Sequence, residues 1–283
     1  MDVSIATAIG EAAKTLRVSG VNEPRLDASL LLSHAVGRDR TFLIAHADRE
    51  LSAEQSQTFA SFVCRRAAGE PLQYITGHQQ FFKLDFEVTP AVLIPRPETE
   101  LIIETVLELF PNHGKFNFAD VGTGSGCIAI SILHERPHSY ATAIDESQRA
   151  LEVAERNAES LNVIERLSLV QSDLFSALPR HETFHLIVSN PPYVPNRDLS
   201  ELQREVQREP RSALAGGADG LDVIRRLLNE APRYLHGGGY LIFEFGINQD
   251  EAIRELVGTT DWELIEIRRD LQQIPRTIIL RKK

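Results

Sequence analysis

A parallel α/β sheet preceded by a small helical bundle is the fold class this sequence predicts. Three observations predict it. From residue 116 onward, short apolar segments alternate with amphipathic helical patterns. Before about residue 75, apolar residues recur at helical spacing instead. Between the two lies one stretch of strict period two, which only a strand with one buried face satisfies.

The helical part comes first. Ile5, Ile9, Ala12 and Leu16 mark one helix, and Leu26, Leu30 and Leu31 repeat the pattern after Pro24. A third helix starts at Ser52, where Ser52 and Gln55 have capping-box spacing, and carries Phe59, Phe62 and Val63 on one face. Gly69 and Pro71 close it. Nothing in residues 1–76 has catalytic spacing. Phe82, Leu84, Phe86 and Val88 then alternate with Lys83, Asp85, Glu87 and Thr89, so 77–95 is expected to be a β-hairpin linker. It runs into Leu93-Ile94-Pro95-Arg96-Pro97-Glu98, whose prolines must be extended or at a helix start.

The α/β domain is expected over 96–283. Its strands fall at 116–121, 140–144, 167–170, 184–188, 240–245, 262–267 and 277–280. Helices run through Ile128, Ile132 and Leu133, through Leu151, Ala154, Ala158 and Leu161, and from about Leu221 to Tyr234. Such a sheet is covered on both faces and binds ligands at the carboxyl ends of its strands. Every motif below lies just past one of those ends.

Composition narrows the function classes. The chain has 283 residues, 42% hydrophobic and 25% charged, enough for two globular cores. Its formal net charge of −10 is opposite to that of a protein gripping a phosphate backbone with its whole surface. A local basic patch would still suffice for nucleic acid, but the expectation shifts toward a protein or small-molecule substrate. Cys64 and Cys127 form no CxxC pair, and the nine histidines show no ligand spacing, so neither disulfides nor a metal site is expected. The N-terminus does not read as a signal peptide, and no run is long enough for a membrane span. The expectation is a soluble cytoplasmic protein.

The first strand of the sheet enters Asp120-Val121-Gly122-Thr123-Gly124-Ser125-Gly126-Cys127. Three alternate glycines permit a tight turn and close approach of backbone to a ligand. It is not a Walker loop, since no Gly-Lys-Ser/Thr follows. The second strand ends at Asp145, 23 residues beyond Gly122, where a carboxylate can accept both hydroxyl hydrogens of a ribose. Asp145 could instead cap the next helix, but beside the Gly-rich loop ribose binding is the stronger reading. The third strand leads into Asp173-Leu174-Phe175. Asp173 could accept from an adenine amino group, and either Leu174 or Phe175 could cover the ring. These three features would serve a dinucleotide equally well.

The fourth strand end excludes a dehydrogenase. Ser189 is followed by Asn190-Pro191-Pro192-Tyr193. The two prolines stiffen the backbone and leave only carbonyl acceptors. The Asn190 amide oxygen and the Pro191 carbonyl can each take one hydrogen of a planar NH2 group, and Tyr193 offers a face for stacking. That leaves the nitrogen's perpendicular face toward a methyl donor. Two acceptors place electron density on a poorly nucleophilic nitrogen and stabilise the charge that develops. The nitrogen belongs to an amide or to the amino group of a base.

These residues resemble class I methyltransferases, a Rossmann-like fold with a seven-stranded sheet. Arg25-Leu26-Asp27-Ala28, Gly69 to Gly77, Leu93 to Glu100, Glu209-Pro210-Arg211 and Gly216 to Leu221 extend the likeness over nearly the whole chain. They are similar to the release-factor glutamine methyltransferase family, the PrmC/HemK group. The resemblance implies transfer of a methyl group from S-adenosyl-L-methionine to the glutamine amide of the Gly-Gly-Gln tripeptide in class 1 peptide chain release factors. By the family pattern Gly122, Thr123, Gly124, Ser125, Gly126, Asp145, Asp173 and Leu174 bind S-adenosyl-L-methionine, with Asn190 beside it. Asn190, Pro191, Pro192 and Tyr193 hold the glutamine amide. Leu174 departs from members with a bulkier aromatic there. Arg96 and Glu98 either line the site or form an ion-paired helix start. The helical segment either docks the protein substrate or is structural. A glutamine methyltransferase of a ribosomal protein and a base amino methyltransferase acting on nucleic acid are the rival readings. No direct nucleic-acid or membrane binding is expected.

Overall fold

The computed structural model describes residues 3–111, 114–258 and 261–283. The chain divides into two units, residues 1–78 with 203–208, and residues 79–202 with 209–283.

The first unit is helical. It contains α1 (Ile5–Val18), α2 (Pro24–Val36), α3 (Arg40–Ala45), α4 (Ala53–Ala67) and α5 (Leu72–Thr76). Ile5, Leu16, Leu31, Leu32 and Phe59 form its core. The Ser52 and Gln55 side chains complete both halves of the capping box at the start of α4. Arg66, near the end of α4, is buried. It donates to Asp27 at 2.7 Å and pairs with Glu205, which the segment 203–208 supplies. A buried guanidinium needs such partners, because an unpaired charge out of water is strongly unfavourable. The short helices α3 and α5 carry too few turns to show a period, and the sequence did not predict them.

The second unit opens on the hairpin β1 (His78–Phe81) and β2 (Leu84–Glu87). Phe82 was expected in a strand but forms the turn with Lys83, at φ of 45° and 65°. Two left-handed residues suit the twist of a tight hairpin. Phe82 keeps the apolar alternation because it packs on the core. Its N–H donates to Glu100 Oε1 at 2.8 Å, at the start of α6 (Glu100–Leu109).

The sheet follows. Its elements are β3 (Asn117–Val121), α7 (Cys127–Glu135), β4 (Tyr140–Asp145), α8 (Gln148–Ser160), β5 (Leu167–Gln171), β6 (Phe184–Ser189), α9 (Asp222–Glu230), β7 (Leu235–Glu244), α10 (Asp250–Val257), β8 (Trp262–Arg269) and β9 (Pro275–Lys282). The strand order is β5-β4-β3-β6-β7-β9-β8. The five strands from β5 to β7 are parallel. β9 runs antiparallel to both β7 and β8, a departure from the all-parallel expectation. The turn between β8 and β9 is too short for a crossover helix, so the pair must be antiparallel.

Both faces of the sheet are buried. Phe118, Ala141, Leu186 and Ile242 face one core, while Ala119, Ile144, Ile187 and Phe243 face the other. The expected helix ending at Tyr234 is α9 followed by a 3-10 turn, Ala231–Tyr234. Pro232 lacks the N–H that a continuing α-helix requires. β7 starts at Leu235, earlier than expected, and passes three glycines with a register shift against β6. α10 was not predicted. Among the described residues no helix is long and apolar enough to cross a membrane.

One buried polar side chain locks the hairpin to the first loop of the sheet. Asn157 of α8 accepts from the Glu87 N–H at 2.7 Å, and its Nδ2 donates to the carbonyls of Glu87 at 3.0 Å and Ser125 at 2.9 Å. Asn157→Leu keeps the volume but strands three backbone groups, so unfolding in urea should show a loss of roughly 3 kcal/mol. A change under about 0.5 kcal/mol would contradict this.

Candidate active site

The register of the sheet brings the motif-bearing loops together. Val121 pairs with Ile144 of β4 and with Ser189 of β6. Gly122, Asp145 and Asn190 therefore sit at adjacent strand ends. A cavity of about 330 Å³ opens there, lined by Gly122, Gly124, Asp145, Leu174 and Asn190 among others.

The Gly-rich loop is shaped from within. The N–H groups of Gly122 and Thr123 both donate to the Ile144 carbonyl, at 2.8 and 2.9 Å. Gly122 and Gly124 have φ of 75° and 57°, and a Cβ on either would meet nothing within 4 Å. Glycine is required at these two positions by backbone conformation rather than by packing. Gly126 is constrained by packing as well, since a Cβ there would lie 2.7 Å from Ile130 Cδ1.

Asp120 is fully buried beneath this loop. Its Oδ2 accepts from the Thr123 hydroxyl at 2.7 Å and the Ala129 N–H at 3.2 Å, while Oδ1 has no hydrogen-bond partner among the described residues. Burial pushes its carboxyl up to about 7, with these hydrogen bonds opposing.

Asp145 accepts from the Gly124 N–H and the Ser147 N–H, each at 2.9 Å. It therefore ties the Gly-rich loop to the turn that starts α8, while Ser147 itself caps the helix. A carboxylate has about four acceptor positions, so two remain for a vicinal diol. Burial raises its pKa, and the backbone hydrogen bonds oppose that.

Asp173 and Leu174 line the next stretch of the wall. Asp173 is exposed and pairs with Arg226 at 2.9 Å, a lining residue that the sequence had not suggested. Leu174 holds φ of 48°. Left-handed backbone at a leucine is strained, and such strain concentrates where a turn must fit a ligand. Phe175 is buried and stacks on Tyr234 with ring centroids 4.8 Å apart. Of the two residues proposed to cover a ring, only Leu174 lines the cavity.

Arg96 also lines the cavity. It donates to the buried Glu209 at 2.5 Å, and Glu209 accepts from the Ile94 N–H at 3.0 Å. Arg96 is thus both in the wall and ion-paired, the two alternatives the sequence left open for it.

Asn190 and Pro192 line the cavity, whereas Pro191 and Tyr193 are not among its lining residues. The Asn190 Nδ2 donates to Thr99 Oγ1 at 3.0 Å. Thr99 donates in turn to Glu244 Oε2 at 2.6 Å, and Tyr193 donates to Glu244 Oε1 at 3.0 Å. The Asn190 Oδ1 accepts nothing from the described residues, so it remains as an acceptor. Sequence reasoning missed Thr99 and Glu244. The available signal was one carboxylate inside the apolar run Tyr240 to Phe245.

The cavity fits an adenosine-bearing ligand: a Gly-rich loop without Cβ atoms at Gly122 and Gly124, spare carboxylate lone pairs on Asp145 and a hydrophobic ledge at Leu174 lie along it. What it can do chemically is hold an NH2 group by its hydrogens beside such a ligand.

The buried Asp120 has a consequence for stability. Its carboxyl keeps its proton in the folded state above its ordinary value of 3.8 and up to about 7. The unfolded chain binds fewer protons in that window, so this group's contribution falls as pH rises through it. Asp120→Asn should flatten the decline in urea midpoint between about pH 4 and about pH 7. Equal slopes in both proteins would contradict the assignment.

Comparison with known proteins places these features. Residues 7–77 match the PrmC N-terminal domain, and residues 99–217 match the methyltransferase small domain. The "Release factor glutamine methyltransferase" of Koribacter versatilis is 41% identical over 99% of this chain and 99% of its own. That of Coxiella burnetii is 43% identical over 92% of each chain. A ribosomal protein L11 methylase from Lactobacillus delbrueckii subsp. bulgaricus shares the fold, with a TM-score of 0.51, 20% identity, and 72% and 88% of the two chains covered. The sheet is that of the class I methyltransferases, and with likeness at this level running from the helical unit to the last strand, the chain belongs to the release factor glutamine methyltransferase family.

Proposed function

We propose that this enzyme methylates the side-chain amide nitrogen, N5, of the glutamine in the Gly-Gly-Gln tripeptide of class 1 peptide chain release factors, in the cytoplasm. The observation that carries the chemistry is the Asn190 amide, anchored through its nitrogen so that its oxygen stays free in the cavity wall. The release factor as substrate is supported by the name of relatives that match the chain from end to end.

S-adenosylmethionine supplies a methyl group on a positively charged sulfur, so its leaving group departs neutral. Gly122 to Gly126 and Asp145 hold the amino acid and ribose parts in this reading, and Asp173 and Leu174 hold the adenine. Asn190 Oδ1 and the Pro191 carbonyl each accept one N–H of the glutamine amide. That fixes the nitrogen face-on to the methyl group, a proximity contribution. The two acceptors also stabilise charge as the C–N bond forms and the C–S bond breaks. The bonding pair passes to sulfur, and one N–H proton departs to water. Tyr193 packs behind Asn190 and keeps the loop in place. The helical first unit serves to dock the protein substrate.

Labelled S-adenosylmethionine should be offered in parallel to a release factor, ribosomal proteins and nucleic acid. Label should appear on the release factor and vanish when its Gly-Gly-Gln glutamine becomes alanine. Label on nucleic acid or a ribosomal protein alone would overturn the proposal. Asn190→Ala should keep S-adenosylmethionine affinity by calorimetry while losing at least about a hundredfold in kcat. Asp145→Ala should instead weaken S-adenosylmethionine binding by about tenfold or more, and an unchanged Kd would remove it from the ribose site.

A further inference from the structure

We propose that Glu244 is a positioning residue, which sets the direction of the Thr99 hydroxyl and through it which end of the Asn190 amide addresses the substrate nitrogen. The inference rests on the role given to Asn190 above.

Glu244 is the last residue of β7 and lies between the fully buried Phe243 and Phe245. A carboxylate there is unfavourable unless each oxygen is hydrogen-bonded. Its two oxygens accept the hydroxyl protons of Thr99 and Tyr193. An ionised carboxylate has no proton to give, so both hydroxyls must point at it. Thr99 has then used its only proton, and its oxygen can only accept from Asn190. The amide is forced to turn its NH2 toward Thr99 and its oxygen the other way. If the carboxyl instead gave a proton to Thr99, Thr99 could donate to Asn190 Oδ1. The amide would flip and present N–H groups to the N–H groups of the substrate. One acid thus sets the polarity of a chain of three hydrogen bonds.

The groups facing Glu244 act on its ionisation in both directions. Arg276 of β9 favours its ionised form, Glu98 disfavours it, and Cys127 of α7 and Tyr193 are held neutral by burial. Burial raises the Glu244 pKa, and the Thr99 and Tyr193 hydrogen bonds oppose that rise.

Thr99→Val keeps the shape of the side chain and removes the relay. It should lower kcat at least about tenfold while the KM for S-adenosylmethionine stays within about twofold, and Thr99→Ser should restore most of the loss. Glu244→Gln keeps one acceptor oxygen and replaces the other with an NH2 group, so one of the two hydroxyls loses its acceptor. With the NH2 toward Thr99 it should lower kcat in the same way with little change in that KM, whereas Glu244→Leu, which removes both acceptors, should lower it in either case. If Glu244→Gln does not fold, the Thr99 pair decides alone. Unchanged kcat in Thr99→Val, or failure of Thr99→Ser to rescue it, would overturn the proposal. Asn190→Ala assayed alongside separates the two readings. If it retains turnover, the role of Asn190 falls and this inference with it. If it loses turnover while Thr99→Val and Glu244→Gln keep theirs, only the positioning role falls.

Discussion

Parallel pairing of β3 with β4 on one side and β6 on the other is the constraint on which the rest of the site depends. It aligns Val121 with Ile144 and Ser189, so three loops leave the sheet along one line. The end of that line is tied by hydrogen bonds from outside β3. Ile144 accepts from Gly122 and Thr123, and the Ser189 hydroxyl donates to the Val121 carbonyl at 2.7 Å. Strand-end groups that would otherwise go unpaired are thereby satisfied, and the loops that follow have little freedom in where they start.

Two buried carboxylates and a half-buried one then shape those loops. Asp120 holds Thr123 and the first turn of α7, Asp145 holds Gly124 and Ser147, and Glu244 holds Thr99 and Tyr193. Burial raises the pKa of all three. Each is an unfavourable group on its own, offset by the two hydrogen bonds it accepts and by the cores on both faces of the sheet. The return is preorganisation: the Gly-rich loop, the Asp145 carboxylate and the Asn190 amide oxygen stand in place before any ligand arrives.

What the sequence made legible follows from how local each signal is. The Gly-rich loop, Asp145 and Asn190 announce themselves because each follows an apolar strand directly. The five inner strands were readable because both faces of the sheet are buried there, which leaves apolar runs. Phe82 misled because a turn residue can be apolar when it packs on a core, and period two does not distinguish the two cases. The antiparallel β9 was within reach, since the short connection after β8 rules out a crossover helix, although strand composition alone gives no direction. Thr99 and Glu244 were missed for a different reason. They lie 91 and 54 residues from Asn190, and only the folded sheet brings their hydroxyl and carboxylate together. α10 was within reach, because Ile253 and Val257 are four apart and both buried.

In the proposed reaction the Gly-rich loop and the Asn190 loop hold a glutamine amide by its hydrogens and bring a methyl group to its open face. The most direct measurement is a crystal structure with S-adenosylhomocysteine and a Gly-Gly-Gln peptide bound. The account predicts the glutamine nitrogen within hydrogen-bonding distance of both Asn190 Oδ1 and the Pro191 carbonyl, its open face toward the sulfur, with the ribose on Asp145. A glutamine side chain seated away from Asn190, or held there through its oxygen, would contradict it.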